Sequence, residues 1–461
     1  MAQPERADVL VLGSGYGGKW VAWHLAGAGQ RAIVVERRYV GGSCPNINCL
    51  PSKNEIVSAK VADIVRHASH FGTDVTSARI NMPKVLARKR KMVEAEIAAH
   101  RQMYRETGAE LVMGEARFVA PKTVEVKLED GGTRQMSGER VFLNLGTRPS
   151  IPPIPGLPDA AMTNIELLEL DRAPAHMVVL GGGYIGLEFA QAYRRFGSRI
   201  TLVERGPRLL AREDPDFADA ILQLLTDEGV QVLLGTHTLR VDGRKGDLRV
   251  VVRTPDGERT LAATDLLAAL GRTPNTSGIG LDVAGVNLDA RGYIAVNERL
   301  ETSAPGVWAL GECAGSPQFT HVSFDDYRII RDNLAGKHRS TSDRLVPFCL
   351  YTDPPLARVG LNETEARKRG IAVRVATLPM ANVLRTETTD ETRGFMKALV
   401  GAGSDEIVGF TMFGADAGEV MAVVQTAMLA RLPYSTLRDA VLAHPTMAEG
   451  LIPLFTRIAA R

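Results

Sequence analysis

Two cysteines, Cys44 and Cys49, lie five positions apart in the run GGSCPNINCLPSK. Two thiols at this spacing can store an electron pair as a disulfide if a redox cofactor lies beside them. The apolar run that follows predicts a helix with Pro51 in its first turn, a position that favours proline. A thiol at a helix N-terminus has a lowered pKa, because the amide dipoles favour the thiolate that attacks disulfides or binds metal.

Two other interpretations of the pair stay open: buried structural cysteines, or half of a metal site. A C-x4-C iron–sulfur pattern needs two more cysteines nearby, whereas Cys313 and Cys349 are distant and isolated. We expect these two to be inert apolar fillers, and we predict no resident metal site. Four cysteines in this length fit a reducing compartment, so we expect a cytoplasmic protein.

A short apolar strand, a G-x-G-x-x-G run and a helical pattern occur twice along the chain. Each copy continues to a second strand that ends in an acid, and the first glycine and the acid are 23 positions apart in both (36 − 13 and 204 − 181). The glycines and acids of the two copies are Gly13, Gly15, Gly18 and Glu36, then Gly181, Gly183, Gly186 and Glu204.

This pattern has a physical basis in dinucleotide binding. The first glycine makes a tight turn, the second lets the backbone approach a pyrophosphate, and the third lets the helix pack on the strand. The helix N-terminus attracts the phosphates, and the acid accepts hydrogen bonds from a ribose diol. Two copies predict two dinucleotides, or one dinucleotide and one flavin dinucleotide.

Composition indicates a globular α/β protein of about three domains. The chain has 461 residues, of which 45% are hydrophobic and 23% charged, with 45 glycines and a net charge of +2. This balance implies no strong polyanion partner, and the basic run 88–91 is interpreted as a solvated helix face. The N-terminus does not have the pattern of a signal peptide, and no apolar stretch reaches the roughly 18 residues of a membrane span.

The order of elements predicts four segments: residues 1–150, 151–273, 274–344 and 345–461. Helical patterns cover about 52–69 and 82–106, and a strand covers 123–128. A proline-rich strap at 148–156 precedes the second glycine motif. A strand at 307–310 and a helix from 322 to 333 return to the first domain, and the last segment is α+β, with strands near 371–378, 394–400 and 407–413 and a helix near 416–431.

These features together resemble the flavoprotein disulfide reductases, such as lipoamide dehydrogenase, glutathione reductase and mercuric reductase. The resemblance covers essentially the whole chain and includes NLGTRPSIPPIPG, GGGYIGLEFA, ALGRTPN, SAPGVWALGECAG and AHPTMAEG in matching order. It implies two Rossmann-like dinucleotide-binding domains, for FAD and NAD, and a C-terminal α+β dimerisation domain. Residues 1–150 would form the first part of the FAD-binding domain, residues 151–273 the NAD(P)-binding domain and residues 274–344 the central domain. The protein would be a homodimer.

The resemblance also implies catalytic roles. Cys49 would lie nearest the flavin C4a as the charge-transfer thiolate, and Cys44 would be the outer thiol that meets substrate. Lys53 would lie near flavin N5, paired with Glu188. The acid–base would be His444, oriented by Glu449, with both reaching the active site from the partner subunit.

The cofactor-binding set implied by the resemblance has two parts. The flavin and central positions are Gly13, Gly15, Gly18, Glu36, Gly42, Ser43, Lys53, Ala116, Gly146, Gly271 and Glu312. The nicotinamide positions are Gly181, Gly183, Tyr184, Gly186 and Glu204, where Tyr184 would cover the nicotinamide pocket or serve only as core packing. Glu204 would repel a 2′-phosphate, which favours NAD(H) over NADP(H), although Arg205 and Arg208 lie nearby.

Two positions depart from the family pattern. Glu312 stands where an Asp usually holds the flavin ribitol, and the longer acid can still accept those hydrogen bonds. Asn48 stands where the family usually has glycine, and Asn tolerates unusual backbone angles. We expect the turn to survive, with the Asn48 side chain near the thiols.

The implied reaction moves hydride from NADH to flavin N5 and the electron pair on to the Cys44–Cys49 disulfide. Cys44 thiolate then attacks or ligates the substrate, and His444 supplies a proton. The run TDPPLARVG resembles mercuric reductases, but the chain ends FTRIAAR without their cysteine pair. The tail most resembles a mercuric-reductase-like branch that includes a copper(II) reductase.

The acceptor is therefore predicted only as a small-molecule disulfide, metal ion or quinone. The alternatives are a dihydrolipoyl dehydrogenase, a thiol-independent NADH:quinone or flavin reductase, and a dithiol sensor without turnover. Intact Lys53, His444 and Glu449 argue against the sensor.

Overall fold

The computed structural model describes residues 3–460, with the side chain of Asp343 excepted. Strands and helices alternate through its first part. In order they are β1 (Glu5–Leu12), α1 (Tyr16–Gly27), β2 (Ala32–Glu36), α2 (Ser43–Ile47), α3 (Cys49–Arg66), α4 (Met82–Thr107), β3 (Glu110–Ala120), β4 (Thr123–Leu128), β5 (Thr133–Leu143) and β6 (Thr147–Pro149).

The first sheet is built around β1, the strand that precedes the first glycine motif. Strands β2 and β5 flank β1 in parallel, with Val11 opposite Val34 on one side and Phe142 on the other. Strand β4 pairs antiparallel with β3 and β5. The run from Val9 to Leu12 is almost fully buried, as expected for a parallel strand covered on both faces.

The second part repeats this plan. Its elements are α5 (Leu157–Ala160), α6 (Asn164–Leu167), β7 (His176–Leu180), α7 (Tyr184–Arg195), β8 (Arg199–Val203), α8 (Pro215–Asp227), β9 (Gln231–Leu233), β10 (His237–Arg244), β11 (Asp247–Thr254), β12 (Gly257–Ala263), β13 (Asp265–Ala268) and β14 (Arg272–Pro274). A parallel sheet has the order β13-β7-β8-β9, and β10, β11 and β12 form an antiparallel sheet. Strand β14 pairs with β6 beside the proline-rich strap.

The chain then returns to the first sheet, as the sequence predicts. The returning elements are β15 (Val307–Ala309) and α9 (Thr320–Leu334). Strand β15 pairs in parallel with β5, which places Trp308 opposite Phe142 and stacks the two rings. This return brings the N-terminus of α9 to the same region as the cysteine segment.

The last part is α+β. Its elements are β16 (Pro347–Leu350), β17 (Leu356–Gly360), α10 (Glu363–Lys368), β18 (Val373–Pro379), α11 (Leu384–Thr389), β19 (Phe395–Gly401), β20 (Ile407–Phe413), α12 (Ala417–Leu429), α13 (Tyr434–Arg438) and α14 (Leu451–Thr456). The five strands form an antiparallel sheet in the order β16-β17-β20-β19-β18. The fold is thus two Rossmann-like units and a C-terminal α+β unit. Within residues 3–460, the helices include none that is long and apolar enough to cross a membrane.

Helix α3 differs from its predicted bounds for a local reason. The sequence predicts about 52–69, whereas the helix begins at Cys49 and ends at Arg66. Pro51 is compatible with the first turn, where its missing N–H would have no helical partner. The earlier start places Cys49 itself in the first turn of the helix.

We predict that Gly186→Ala lowers the free energy of unfolding by about 1–3 kcal/mol, the usual effect of overpacking. A Cβ atom at Gly186 would lie 2.0 Å from the carbonyl oxygen of Gly181, so α7 would have to move away from β7. The measurement is urea unfolding followed by circular dichroism.

The matched control is Gly183→Ala, because a Cβ atom there meets nothing within 4 Å. Gly183 also has an ordinary backbone φ of −89°. Equal unfolding free energies for the two variants would contradict the proposed close contact between α7 and β7.

Candidate active site

The two cysteines lie at the junction of two consecutive helices. Cys44 is in α2, and Cys49 is the first residue of α3. Gly42 leads into α2 with a φ of +82°, and a Cβ atom there would lie only 2.5 Å from Cα of Gly15. This contact holds the cysteine segment against the first glycine motif, beside the N-terminus of α1.

Asn48 separates the two helices without the left-handed backbone that a glycine would allow. Its φ is −131° and its ψ is −103°. The side-chain oxygen accepts a hydrogen bond of 2.8 Å from Asn164 Nδ2, and the same Asn164 nitrogen donates to the carbonyl of Ile47 at 2.7 Å. The turn survives as expected, but the carboxamide binds α6.

The two thiols differ in their acidity. The hydrogen bond from Cys44, together with smaller contributions from Thr320 and Lys53, lowers the pKa of Cys49 to about 6 against the opposing effect of burial. The same hydrogen bond, followed by burial, raises the pKa of Cys44. Cys49 is therefore the more acidic thiol because of its hydrogen-bond partners and Lys53, and the pair shares one proton with the charge on Cys49. The effect of the helix N-terminus on the thiol stays a prediction.

An ion pair between a half-buried lysine and a buried glutamate lies beside Cys49. Lys53 Nζ donates to Glu188 Oε2 at 2.7 Å, and the Glu188 side chain is 6% exposed. Glu188 Oε1 accepts from the backbone N–H of Tyr351 at 2.9 Å. The Lys53 ammonium lies 4.7 Å from the centre of the Tyr351 ring. The Lys53 ammonium, which belongs to α3, therefore contacts both α7 and the segment that follows β16.

The predicted flavin end is a loop that Glu36 holds together. Glu36 Oε2 accepts from the N–H and the hydroxyl of Ser14, at 2.9 and 2.7 Å. Its Oε1 accepts from the N–H groups of Arg38 and Tyr39, at 2.8 and 3.0 Å. These four bonds use about all the acceptor positions of a carboxylate, so the ribose contact of Glu36 stays a prediction.

The loop nevertheless fits a dinucleotide. Helix α1 begins after Gly15, and the N–H groups of Gly17 and Gly18 in its first turn donate to Ser323 Oγ and Asn144 Oδ1, both at 3.1 Å. Gly13 has a φ of +96°, and a Cβ atom there would lie 2.3 Å from the carbonyl oxygen of Asn144. A tight turn of this kind at a helix N-terminus can hold a pyrophosphate. Ser43 and Gly18 flank the same loop, while Ala116 lies in β3 opposite Val126.

Three predicted cofactor residues lie around the paired strands β6 and β14. Gly146 accepts from Asn275 N at 3.1 Å, and Gly271 accepts from Ser150 N at 2.9 Å. Glu312 Oε2 accepts from the Thr147 hydroxyl and, at 3.2 Å, from Arg272 Nε. The longer acid is therefore held by protein groups through one oxygen, and its contact with a ribitol stays a prediction.

The second glycine motif faces a cleft of about 620 Å³, whose lining includes Gly181, Gly183, Glu204, Arg205 and Leu270. Glu204 accepts from the N–H groups of Gly182 and Gly206, both at 2.7 Å. These bonds use only half of its acceptor positions. The acid can therefore still accept from a ribose diol.

Tyr184 lies at the first position of α7. Its hydroxyl donates to Glu213 Oε1 at 3.1 Å, and Glu213 Oε2 lies 3.0 Å from Arg358 Nε. Burial raises the pKa of Tyr184. The ring also packs against a core cluster, so both the packing role and the pocket role that the sequence allows stay open.

His444 and Glu449 form a pair near the C-terminus. His444 Nδ1 lies 3.0 Å from Glu449 Oε2, and the histidine side chain is 65% exposed. The carboxylate orients the imidazole and leaves its other ring nitrogen free to face outward. An exposed, oriented imidazole is suited to act on a neighbouring subunit.

Two contacts at the site involve residues that the sequence alone did not identify. The Thr320 hydroxyl lies 3.3 Å from the Cys49 sulfur at the start of α9, and Tyr351 covers Lys53. Two sequence signals could have identified them: Thr320 starts the helix after Phe319, and Tyr351 directly precedes the run TDPPLARVG. His321 bonds to the carbonyl of Pro347 at 3.0 Å and stacks on Phe319, which is a packing role.

The other two thiols are neutral at neutral pH, because burial raises the pKa of Cys313 and of Cys349 to about 11. All four cysteines are free. Within residues 3–460, the structure brings together no group of three His, Cys, Asp or Glu side chains suited to hold a metal ion.

Comparison with known proteins identifies the family. A family model described as pyridine nucleotide-disulphide oxidoreductase matches residues 7–326, and the model of its dimerisation domain matches residues 346–453. The chain is 36% identical over 458 residues to the probable pyridine nucleotide-disulfide oxidoreductase RclA of Escherichia coli (strain K12), covering 98% of this chain and 99% of the relative.

Other relatives have different printed activities. A mercuric reductase of Streptomyces lividans is 33% identical, with 96% of this chain and 94% of the relative covered. A dihydrolipoyl dehydrogenase of Thermus scotoductus is also 33% identical, with 96% of each covered. The solved Cu(II) complex of the HOCl-induced flavoprotein disulfide reductase RclA from Escherichia coli matches with a TM-score of 0.88 and 35% identity, over 99% of each chain.

We predict that Thr320→Val raises the apparent pKa of Cys49 by about one in the reduced, FAD-loaded protein, because one pKa step corresponds to about 1.4 kcal/mol and a charged hydrogen bond is worth that much. The folded pKa of about 6 means that the thiolate is present above pH 6 and is lost as the pH falls through 6. Alkylation of Cys49 against pH, mapped by mass spectrometry, measures the change.

The matched control is Thr320→Ser, which keeps a hydroxyl at the same place and should titrate like the parent. A Thr320→Val profile that coincides with the parent profile would show that the 3.3 Å contact does not stabilise the thiolate.

Proposed function

The chain belongs to the pyridine nucleotide-disulphide oxidoreductases, an enzyme family whose members use FAD and a pyridine nucleotide, and we propose that it uses a redox-active Cys44–Cys49 pair to pass electrons from NADH to a metal ion or disulfide. When bound, FAD supplies the two-electron link between nicotinamide and disulfide. We propose a mercuric-reductase-like enzyme whose acceptor is still to be identified, working in a reducing cytoplasm.

The observation that carries this proposal is the unequal pair of thiols beside an ion pair. Cys49 holds a thiolate at neutral pH, next to Lys53, and Cys44 keeps the proton. Cys44 is then the sulfur that must ionise to attack an acceptor, while Cys49 is the sulfur that closes the disulfide. Glu188 fixes Lys53 where a flavin ring would lie against Cys49.

A second subunit would complete the site. We propose that His444 of the partner subunit, oriented by Glu449 of the partner subunit, gives and takes the proton of the outer thiol. The match to the dimerisation domain supports a homodimer. Val57, Val61 and Ile64 share one face of α3 and are 49, 53 and 52% exposed, as expected for a helix that packs against another subunit.

The nicotinamide dinucleotide is proposed to be NADH. Glu204 lines the cleft of the second motif with acceptor positions free, and its negative charge would repel a 2′-phosphate. Arg205 lines the same cleft. The carboxylate lies at the end of β8, where the ribose acceptor of this motif is expected.

The comparisons support two classes of acceptor. The relative RclA was solved as a Cu(II) complex, which favours a metal ion. The dihydrolipoyl dehydrogenase relative and the His444–Glu449 pair favour lipoamide. A quinone or free flavin acceptor would not need the thiols at all.

We predict that NADH oxidation by the anaerobic FAD-loaded protein is supported by mercuric or cupric ion and is low with lipoamide. Cys44→Ser should reduce the metal-dependent rate at least 100-fold, in the range of losses for an essential nucleophile. Flavin bleaching by NADH in the same variant should persist, since it precedes the thiol step.

Strong lipoamide turnover would identify a dihydrolipoyl dehydrogenase instead. Turnover that Cys44→Ser leaves intact would favour a thiol-independent quinone or flavin reductase. Cys313→Ser is the matched control, because that buried thiol packs against the carbonyls of Leu143 and Leu310, in the core.

We predict that Glu204→Gln lowers the ratio of kcat/KM for NADH over NADPH about 10-fold, equivalent to about 1.4 kcal/mol of lost discrimination. Gln keeps the shape and one acceptor but removes the charge. Glu258→Gln, an exposed acid of β12 that pairs with Arg253, is the control and should leave the ratio unchanged. An unaltered ratio in Glu204→Gln would exclude the charge as the basis of selection.

A further inference from the structure

A buried lysine of the first Rossmann-like unit contacts a histidine and, within residues 3–460, forms no ion pair with a carboxylate. Lys19 is in the second turn of α1 and is 2% exposed. Its ammonium contacts the Nε2 atom of His100 and lies 4.5 Å from the Tyr16 ring centre and 5.6 Å from the Trp23 ring centre. Burying an ammonium is costly unless nearby groups compensate its charge.

The hydrogen bonds of His100 determine whether Lys19 or His100 is the donor in the contact between them. His100 Nδ1 lies 2.6 Å from the backbone carbonyl oxygen of Glu96, so this nitrogen carries the ring proton. The Nε2 atom is then an acceptor, and Lys19 donates to it. Burial and the Lys19 charge both lower the pKa of His100, which keeps the ring neutral.

The same imidazole packs against the cysteine segment. Gly41 lies between the ring and this segment: a Cβ atom on Gly41 would be 3.0 Å from His100 Nδ1 and 3.1 Å from Pro45 Cγ. Pro45 directly follows Cys44 in α2. The ring that binds the Lys19 ammonium therefore lies beside Gly41, three residues before Cys44.

The negative groups that act on Lys19 are Cys44 and Glu96. The interaction is mutual, since Lys19 also favours the ionised form of Cys44. Burial lowers the pKa of Lys19 to about 8. The ammonium is therefore charged at pH 7 and loses its proton as the pH rises through 8.

We propose that Lys19 is a positioning residue of the thiol half-reaction: its buried ammonium, aimed by His100, stabilises the negative charge on the Cys44 sulfur when that thiol ionises to attack the acceptor. The proposal rests on the proposed function only in taking Cys44 as the attacking thiol. It gives Cys44 a source of positive charge within its own subunit. The charge on Cys49 has its own partners, Thr320 and Lys53.

The experiment isolates Cys44 in a Cys49→Ser background of the FAD-loaded protein and needs neither NADH nor an acceptor. Alkylation of Cys44 by iodoacetamide is measured against pH, with the site read by peptide mapping. Lys19→Met should lower the alkylation rate near neutral pH about 10-fold, because an opposite charge nearby shifts a pKa by about one or more and the thiolate is the reactive form.

Three further variants make the result specific. Lys19→Arg keeps a cation and should react like the parent. Lys89→Met removes another buried lysine, which binds Leu168 and Glu169 instead, and should also react like the parent. His100→Leu should lower the rate in the same direction by about 3-fold, since the ammonium stays but loses the acceptor that aims it.

Coinciding pH profiles of the parent, Lys19→Met and His100→Leu would overturn the proposal. If Lys19→Met does not fold, His100→Leu alone decides, and an unchanged profile there overturns it. Because alkylation reports only the acidity of the thiol, a failure of metal or lipoamide turnover leaves this test intact, and the two proposals can fail separately.

Discussion

The negative charge on the Cys49 sulfur is the constraint around which the site is arranged. A thiolate taken out of water is stable only beside donors and cations. Cys44 and Thr320 supply the hydrogen bonds and Lys53 supplies the cation. Glu188 in turn holds Lys53 and is itself held by the backbone of Tyr351. Groups from all three parts of the chain thus converge on one atom, so the charge depends on how those parts pack.

The fold explains how such distant groups meet. The close contact of Gly42 with Gly15 holds the cysteine helices at the N-terminus of α1, and a helix N-terminus attracts phosphate groups. The return of β15 to the first sheet carries the start of α9 to Cys49. The ion pair of Lys53 and Glu188 joins α3 to α7, so the cofactor-binding units share a polar contact at the thiols.

The repeated glycine motifs predicted both parallel sheets, because their signal is local and periodic. The predicted helix 82–106 and strand 123–128 match α4 and β4 to within a residue for the same reason. Thr320 could not be found this way, since it contacts Cys49 across 271 positions of sequence. Lys19 directly follows the first glycine motif, and that motif gives a role only to its glycines. The spacing of the glycine motif likewise gives the position of the acid Glu36. It does not predict the protein groups that donate hydrogen bonds to that acid.

The central claim is that the Cys44–Cys49 pair stores electrons beyond those held by the flavin. The most direct test is an anaerobic reductive titration of the FAD-loaded protein, followed by flavin absorbance and by counting free thiols. We expect the parent to accept a second electron pair per flavin with the appearance of two thiols, and Cys44→Ser to accept only the flavin pair. Equal electron uptake by the two proteins, with no new thiols in the parent, would contradict it.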